Sequence, residues 1–165
     1  MELEVVQGDI TAQDVDAVVN AANRAMRGGG GVDGAIHRAG GPEVLEDCRR
    51  RFPHGLETGQ AGWTTAGRMP SRWVIHVVGP NHNRGERDRT LLTSCYAKAL
   101  TVADELGATS IAFPLISAGS YGWPFDDAVA AAVDTLRSTP TQVAWARLVA
   151  YDKRAFDAIA RRLEA

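Results

Sequence analysis

Along this chain, short apolar runs alternate with stretches whose apolar residues recur every three or four positions. Residues 3–7 read as a first strand ending in the acidic turn Gly8-Asp9-Ile10-Thr11. Residues 15–19 read as a second strand, short and apolar, that delivers Asn20 and Asn23 to its C-terminal end. Residues 32–39 and then 42–51 have helical character, with Pro42 suited to a first turn. Residues 57–67 are rich in Gly and Thr, which predicts an irregular stretch with a brief strand around Trp63. Residues 73–78 are nearly continuous in apolar and β-favouring side chains, and Gly79-Pro80 closes that strand. After a polar stretch over 81–89, Leu92, Cys95, Tyr96, Ala99, Ala103 and Leu106 repeat at three and four, predicting an amphipathic helix that stops near Gly107. A buried strand over 110–115 follows, then a helix over 125–138 with Ala128, Val129, Ala132, Val133 and Leu136 on its apolar face. A strand over 143–151 and a helix marked by Phe156, Ile159, Ala160 and Leu163 close the pattern.

Strands alternating with helices predict an α/β domain with a largely parallel central sheet and helices on both faces. Ligands of such folds sit outside the carboxyl ends of the strands. The loops richest in Gly and polar residues fall in that place: 8–11, 20–33, 117–122 and Tyr151-Asp152. No repeat, linker or low-complexity segment interrupts the pattern, so the expectation is one domain over residues 1–165 with one cleft.

Composition narrows this further. With 45% apolar and 23% charged residues over 165 positions, the chain can bury a sizeable core. A net charge of -2 argues against an electrostatic grip on long nucleic acid. The arginines at 49–51 and at 84, 87 and 89 read as solvated faces. A phosphate-bearing ligand would therefore be held largely by backbone dipoles. Cys48 and Cys95 fit neither a disulfide framework nor zinc spacing and are expected as inert thiols. The start of the chain lacks the features of a signal peptide, and no run approaches the ~20 apolar residues of a membrane span. A cytoplasmic, monomeric protein without a metal site is the expectation.

The candidate chemistry gathers around residues 20–37, where Gly28-Gly29-Gly30-Gly31 leads into a helix. Bare N–H groups at a helix N-terminus suit an anion, because the donors are unpaired and the helix dipole favours negative charge. A second such loop, Ser117-Ala118-Gly119-Ser120-Tyr121-Gly122, also opens a helix, and the pair could enclose a diphosphate from both sides. No P-loop signature is present. Asp33 either caps its helix or takes a proton from a water or a ribose hydroxyl. Asn23 is either an Asx-turn residue or a contact to a sugar. Asp9 is either a turn or N-cap acid or an acceptor for an exocyclic amine. Tyr121 and Tyr151 either fill the rim or cover a sugar or base. His37 reads as a buried, hydrogen-bonded helix residue, His76 as structural within its strand, and His54 and His82 as loop residues.

These motifs together resemble the macrodomain superfamily, and within it the MacroD-type ADP-ribosyl hydrolases. The likeness runs through Gly8-Asp9-Ile10-Thr11, Asn20-Ala21-Ala22-Asn23, residues 28–37, residues 73–80, Ser110-Ile111-Ala112-Phe113-Pro114 and the loop 117–122. It implies a three-layer α/β/α sandwich with a mixed, mostly parallel six-stranded sheet and a cleft for ADP-ribose. By position, Asp9 would bind the adenine amine with the Ile10 backbone alongside, and Tyr151 would lie against the adenine. Gly30, Gly31 and Val32 would line the first diphosphate loop, and Ser117, Gly119, Ser120 and Tyr121 the second. Asn23, with Asn20 in the same motif, would hold the distal ribose, and Asp33 would be the catalytic acid residue beside it. Ser120 stands where the family usually has a branched aliphatic residue. The implied partners are ADP-ribose and mono-ADP-ribosylated substrates, with no cofactor; the same cleft could instead serve O-acetyl-ADP-ribose deacetylation or binding alone.

Overall fold

Six strands hydrogen-bond into one sheet in the order β1-β6-β5-β2-β4-β3: β1 Glu2–Gln7, β2 Ala17–Ala22, β3 Ala61–Thr65, β4 Trp73–Val78, β5 Ser110–Phe113 and β6 Trp145–Ala150. The computed structural model describes residues 1–165. Every neighbouring pair is parallel except β3 on β4, which is antiparallel at one edge. Five helices complete the chain: α1 Gly31–Gly40, α2 Pro42–Arg51, α3 Arg89–Leu106, α4 Phe125–Ser138 and α5 Lys153–Glu164. None of them is long and apolar enough to cross a membrane.

Alternation along the strands assigns the helices to faces. Ala17, Val19, Ile75, Val77, Ile111, Phe113 and Leu148 pack with α3, α4 and α5 in the main core. Val18, Val74, Ala112 and Val149 turn the other way and meet Ile36 of α1. Ala22 and Val78 on that same face meet Val44 and Cys48 of α2. The result is the expected three-layer sandwich, with the larger core beneath α3–α5. Both cysteines are free and buried. Burial pushes the Cys48 thiol up to about 11 and the Cys95 thiol up to about 12, so both behave as small core hydrophobes.

Several boundaries differ from the sequence reading in a way that matters for the site. β2 continues to Ala22, three residues beyond the expected end, because its whole length pairs with β4 from Ala17↔Trp73 to Ala22↔Val78. Asn20 is therefore in the strand, not at its mouth. β5 ends at Phe113 and β6 at Ala150, which leaves Tyr151 outside the sheet.

Beneath the second glycine loop, the fully buried Tyr96 of α3 places its hydroxyl 2.9 Å from the Ile116 N–H, which donates to it. This is a tertiary prop for a segment with little regular structure. Tyr96→Phe leaves that N–H buried without an acceptor and should lower the unfolding free energy by about 1–3 kcal/mol. Urea denaturation checks this; an unchanged midpoint and slope would contradict the role given to the hydroxyl.

Candidate active site

The five parallel strands all end on the same side, so their C-terminal loops follow one another along the sheet edge in strand order. Asp9 and Tyr151 leave adjacent strands at one end, since Gln7 pairs with Ala150 and the Gly8 N–H donates to the Ala150 carbonyl at 3.1 Å. The loops 23–30 and 114–124 leave the central neighbours β2 and β5. Those two strands pair only at Ala17↔Ile111 and Val18↔Ala112, after which β2 stays with β4 alone. From there the β2 loop turns toward α1 and α2 on one face, while the β5 loop turns toward α4 on the other. Such a divergence is a topological switch point, where α/β sheets open a ligand crevice.

In the first loop, Gly28 (φ +92°) and Gly31 (φ +56°) adopt left-handed backbone that only glycine tolerates without strain. The N–H groups of Gly29, Gly30, Gly31, Val32 and Asp33 donate to no protein group, and no side chain caps α1. Five amides thus stand free at the positive end of a helix. Gly34 lets this loop pack on the helix: a Cβ there would lie 2.6 Å from the Gly29 carbonyl oxygen.

Asp33 does not cap the helix. Its side chain is buried, and Oδ1 accepts a hydrogen bond from Nδ2 of Asn20 at 2.8 Å, with Nε2 of His37 at 3.4 Å. Oδ2 faces the other way. A Cβ built on Gly29 would sit 3.2 Å from this oxygen and 3.4 Å from Nδ2 of Asn23, so both groups border the same small space. Asn23 ties the loop together by donating to the Gly28 carbonyl at 3.1 Å and accepting from the Met26 N–H at 3.2 Å. Asn23 thus holds a local turn through a bond three residues on, not the two of an Asx-turn, with its amide still at the edge of the space beside Asp33. His37 is half-buried, one turn after Asp33 and beside Gly28.

The second loop is held at Ile116 by the Tyr96 hydroxyl and braced again at its C-terminal end. Trp123 is buried and donates its indole N–H to Asp127 at 2.9 Å. Asn83, from the loop after β4, donates through its backbone to the Tyr121 carbonyl and through its side chain to the Ser120 carbonyl, each at 3.0 Å. Between these anchors, the N–H groups of residues 117–121 are free of protein partners. Ser117 has φ +64° and a buried hydroxyl without a partner, pressed against Gly79, where a Cβ would meet its oxygen at 2.4 Å.

Tyr121 and Asn23 line one cavity of about 370 Å³ together with Arg24, Thr58, Gly79, Asn81, Arg84 and Glu86. Arg24 is paired with Glu86 at 2.7 Å. Burial alone would raise the Glu86 carboxyl, yet bonds from the Asn81 N–H, Thr58 and Arg24 hold it below the usual carboxylate range. Burial, followed by the nearby Glu86, raises the Tyr121 phenol. A slightly larger cavity of about 440 Å³ lies between α2 and the β3 edge, lined by groups such as Asp47, Arg51 and Trp63, and includes none of the expected site residues. Size is a poor guide here; only the smaller opening is bordered by residues of both loops, Asn23 and Tyr121.

At the far end, Asp9 caps a 3-10 turn, its Oδ1 accepting from the Thr11 N–H at 2.9 Å and the Thr11 hydroxyl at 2.7 Å. Oδ2 is uncommitted. Ile10 is buried against the α1 side of the sheet. Tyr151 is 93% exposed, the most exposed of the large hydrophobic side chains. The structure therefore brings Asn23 and Tyr121 to one opening, sets Asp33 beside Asn23, and spreads Asp9 and Tyr151 along the same edge. Asn20 is different: it is fully buried behind Asp33 and bonds to His76, not toward the open cleft. Sequence reasoning missed Asn83, Glu86 and Thr64, each of which acts across a strand or loop that no local pattern connects to the site.

Two loops of free amides at a sheet switch point, with a buried carboxylate nearby, make an α/β crevice whose main-chain donors suit an anion. The macro domain family model matches residues 19–132, and this chain belongs to that family. It is 55% identical over 165 residues to a macro domain-containing protein of Streptomyces coelicolor, covering 98% of each chain. It is 47% identical over 160 residues to a Citrobacter rodentium protein named O-acetyl-ADP-ribose deacetylase, covering 92% of this chain and 89% of that one. Among solved structures, the Oceanobacillus iheyensis macrodomain with ADP superposes with a TM-score of 0.88 at 37% identity, over 97% of this chain and 88% of that chain. The Trypanosoma brucei macrodomain in complex with ADP-ribose gives 0.89 at 33% identity, over 98% and 69%.

The burial of His76 carries a pH signature. Burial, and then the nearby His37, lowers His76 from its ordinary 6.5 to about 3. The folded state then holds fewer protons than the unfolded chain below pH 6.5. This contribution to stability is complete above that value and is lost progressively as pH falls toward about 3. His76→Gln has no proton to take up, so its unfolding free energy should fall less steeply over that window than the parent's. Urea melts across the window decide it, and equal slopes would contradict the assignment.

Proposed function

We propose that this chain binds ADP-ribose in the cleft between the β2 and β5 loops and hydrolyses the bond joining it to a mono-ADP-ribosylated acidic side chain. The observation that carries this reading is the pairing of ten free loop amides with one half-engaged carboxylate, Asp33, whose Oδ2 borders the same space as Asn23. The amides of residues 29–33 and 117–121 would hold the diphosphate. Asp9, through its uncommitted oxygen, would accept from the adenine amine, with Ile10 beneath and Tyr151 folding over the base. Asn23 would hold the distal ribose, and Tyr121 would pack against that sugar.

In the chemical step, a water between the diphosphate and the distal ribose adds to the anomeric carbon as the ester C–O bond breaks. The acceptor leaves as a carboxylate and the water's proton passes to Oδ2 of Asp33, which orients the water beforehand. A buried carboxylate with one oxygen already fixed loses little freedom on accepting that proton, which suits a general base. A second reading, deacetylation of O-acetyl-ADP-ribose, is favoured by the Citrobacter rodentium relative of that name. It would use the same cleft, with the water directed at the acetyl carbonyl. A protein that only binds ADP-ribose would have no use for a buried carboxylate at the rim of the anion site.

Incubation with a mono-ADP-ribosylated protein and, separately, with O-acetyl-ADP-ribose distinguishes these readings by the product released: ADP-ribose with unmodified protein, ADP-ribose with acetate, or neither. Asp33→Ala should lower turnover by roughly 10²–10⁴-fold, the span of general-base catalysis, while calorimetry still detects ADP-ribose binding. Turnover at the parental rate in that variant would remove Asp33 from the chemistry.

A further inference from the structure

We propose that Thr64, His76 and Asn20 form a buried positioning relay that fixes one oxygen of the Asp33 carboxylate and leaves the other free to work. The inference rests on the hydrolase reading for its kinetic consequence, though not for its geometry. The relay begins at Asn20, fully buried in the middle of β2 on the face covered by α1 and α2. Its Nδ2 lies 2.8 Å from Oδ1 of Asp33 and 3.0 Å from Nδ1 of His76. An amide nitrogen carries two hydrogens, so it can donate once to each. That requires Nδ1 of His76 to be the bare, accepting nitrogen.

The tautomer is set from the other side of the ring. Nε2 of His76 lies 2.8 Å from the Thr64 hydroxyl, and that hydroxyl donates to the Thr65 carbonyl at 3.0 Å. A hydroxyl has a single hydrogen, so with this one committed it must accept from Nε2–H. His76 is 1% exposed, and burial lowers it to about 3, so the ring stays neutral with a single N–H. Each link then has one allowed direction. The Thr65 carbonyl orders Thr64, Thr64 orders His76, His76 orders Asn20, and Asn20 donates to Asp33.

The reverse arrangement is self-defeating. Turning the Asn20 amide over would place Oδ1 against a carboxylate oxygen at 2.8 Å, two acceptors with no hydrogen between them. In the orientation present, Oδ1 of Asn20 is buried without any donor. An unpartnered acceptor is tolerated because both hydrogens of the amide are needed elsewhere. The anchor is the edge strand β3, whose Gly62 and Thr64 pair with His76 and Val74 of β4. A strand on the rim of the sheet thereby controls the orientation of a carboxylate carried by α1.

Thr64→Val keeps the shape of the side chain and removes its hydroxyl, and Thr64→Ser keeps the hydroxyl. Both are compared with the parent in turnover of a mono-ADP-ribosylated protein, in calorimetric affinity for ADP-ribose, and in long-range ¹H–¹⁵N spectra of histidine-labelled protein. Thr64→Val should lower kcat by roughly 10- to 100-fold, the scale of a small misplacement at a reacting centre, with ADP-ribose affinity held within about twofold. Thr64→Ser should restore most of kcat. The parent should show His76 as Nε2–H with an unprotonated Nδ1, a signature that Thr64→Val disturbs. Parental kcat in Thr64→Val, a loss of affinity in step with kcat, or a parent His76 protonated on Nδ1 would each overturn the relay. If the parent releases no ADP-ribose, the hydrolase reading falls and the spectra alone decide: the Nε2–H signature lost in Thr64→Val upholds the relay, and its persistence overturns it.

Discussion

The site depends on the parting of two neighbouring strands. β2 and β5 share only two register pairs before β2 continues alone beside β4, and their loops then leave toward opposite faces of the sheet. Backbone that would otherwise close the sheet is turned into two rims. The rims hold their shape because each is braced: the β5 loop by the buried Tyr96 and Trp123 and by the exposed Asn83, the β2 loop by the close contact of Gly34 with Gly29. Free amides are costly in a dry interior, but here they stand at an open edge, where water or an anion can meet them. Loops of this kind offer donors to an anion even in a chain of net charge -2.

The second constraint is the burial of a carboxylate next to that anion site. Asp33 sits in the first turn of α1, where the helix dipole favours a negative charge, and Asn20 donates to one of its oxygens. These interactions let the carboxylate stay at a place where a phosphate would repel it. They also divide its two oxygens into a held one and a free one. The polar groups behind it, Asn20, His76 and Thr64, lie in the layer between sheet and helices where most neighbours are apolar, so their mutual bonds are strengthened by the low local polarity.

Much of this was legible along the chain, because it is local. The helix over 42–51 and the strand over 73–78 have the bounds that their patterns give. The glycine run, Asp33 and the second loop announce themselves through residue types that few other structures need. Three things were not legible. The end of β2 was placed too early because the Asn20-Ala21-Ala22 segment lacks strand propensity, and its extended shape comes from pairing with β4. Asp9 and Asn23 make turn bonds while standing at the edge where the proposed site lies, so residue type alone could not separate the two. Finally, the bonds of Thr64 and His76 span an antiparallel edge pair, which leaves no periodic trace in a segment rich in Gly and Thr.

The claim on which the account stands is that main-chain N–H groups of the two loops, and not cationic side chains, receive the diphosphate. A titration of ¹⁵N-labelled protein with ADP-ribose, followed by ¹H–¹⁵N correlation spectra, addresses it directly. The account predicts that the amides of residues 29–33 and 117–121 shift most, together and saturably, with the arginine side-chain resonances little changed. Shifts concentrated on arginines such as Arg50, Arg51 and Arg72 around the α2–β3 cavity, with both loops silent, would contradict it.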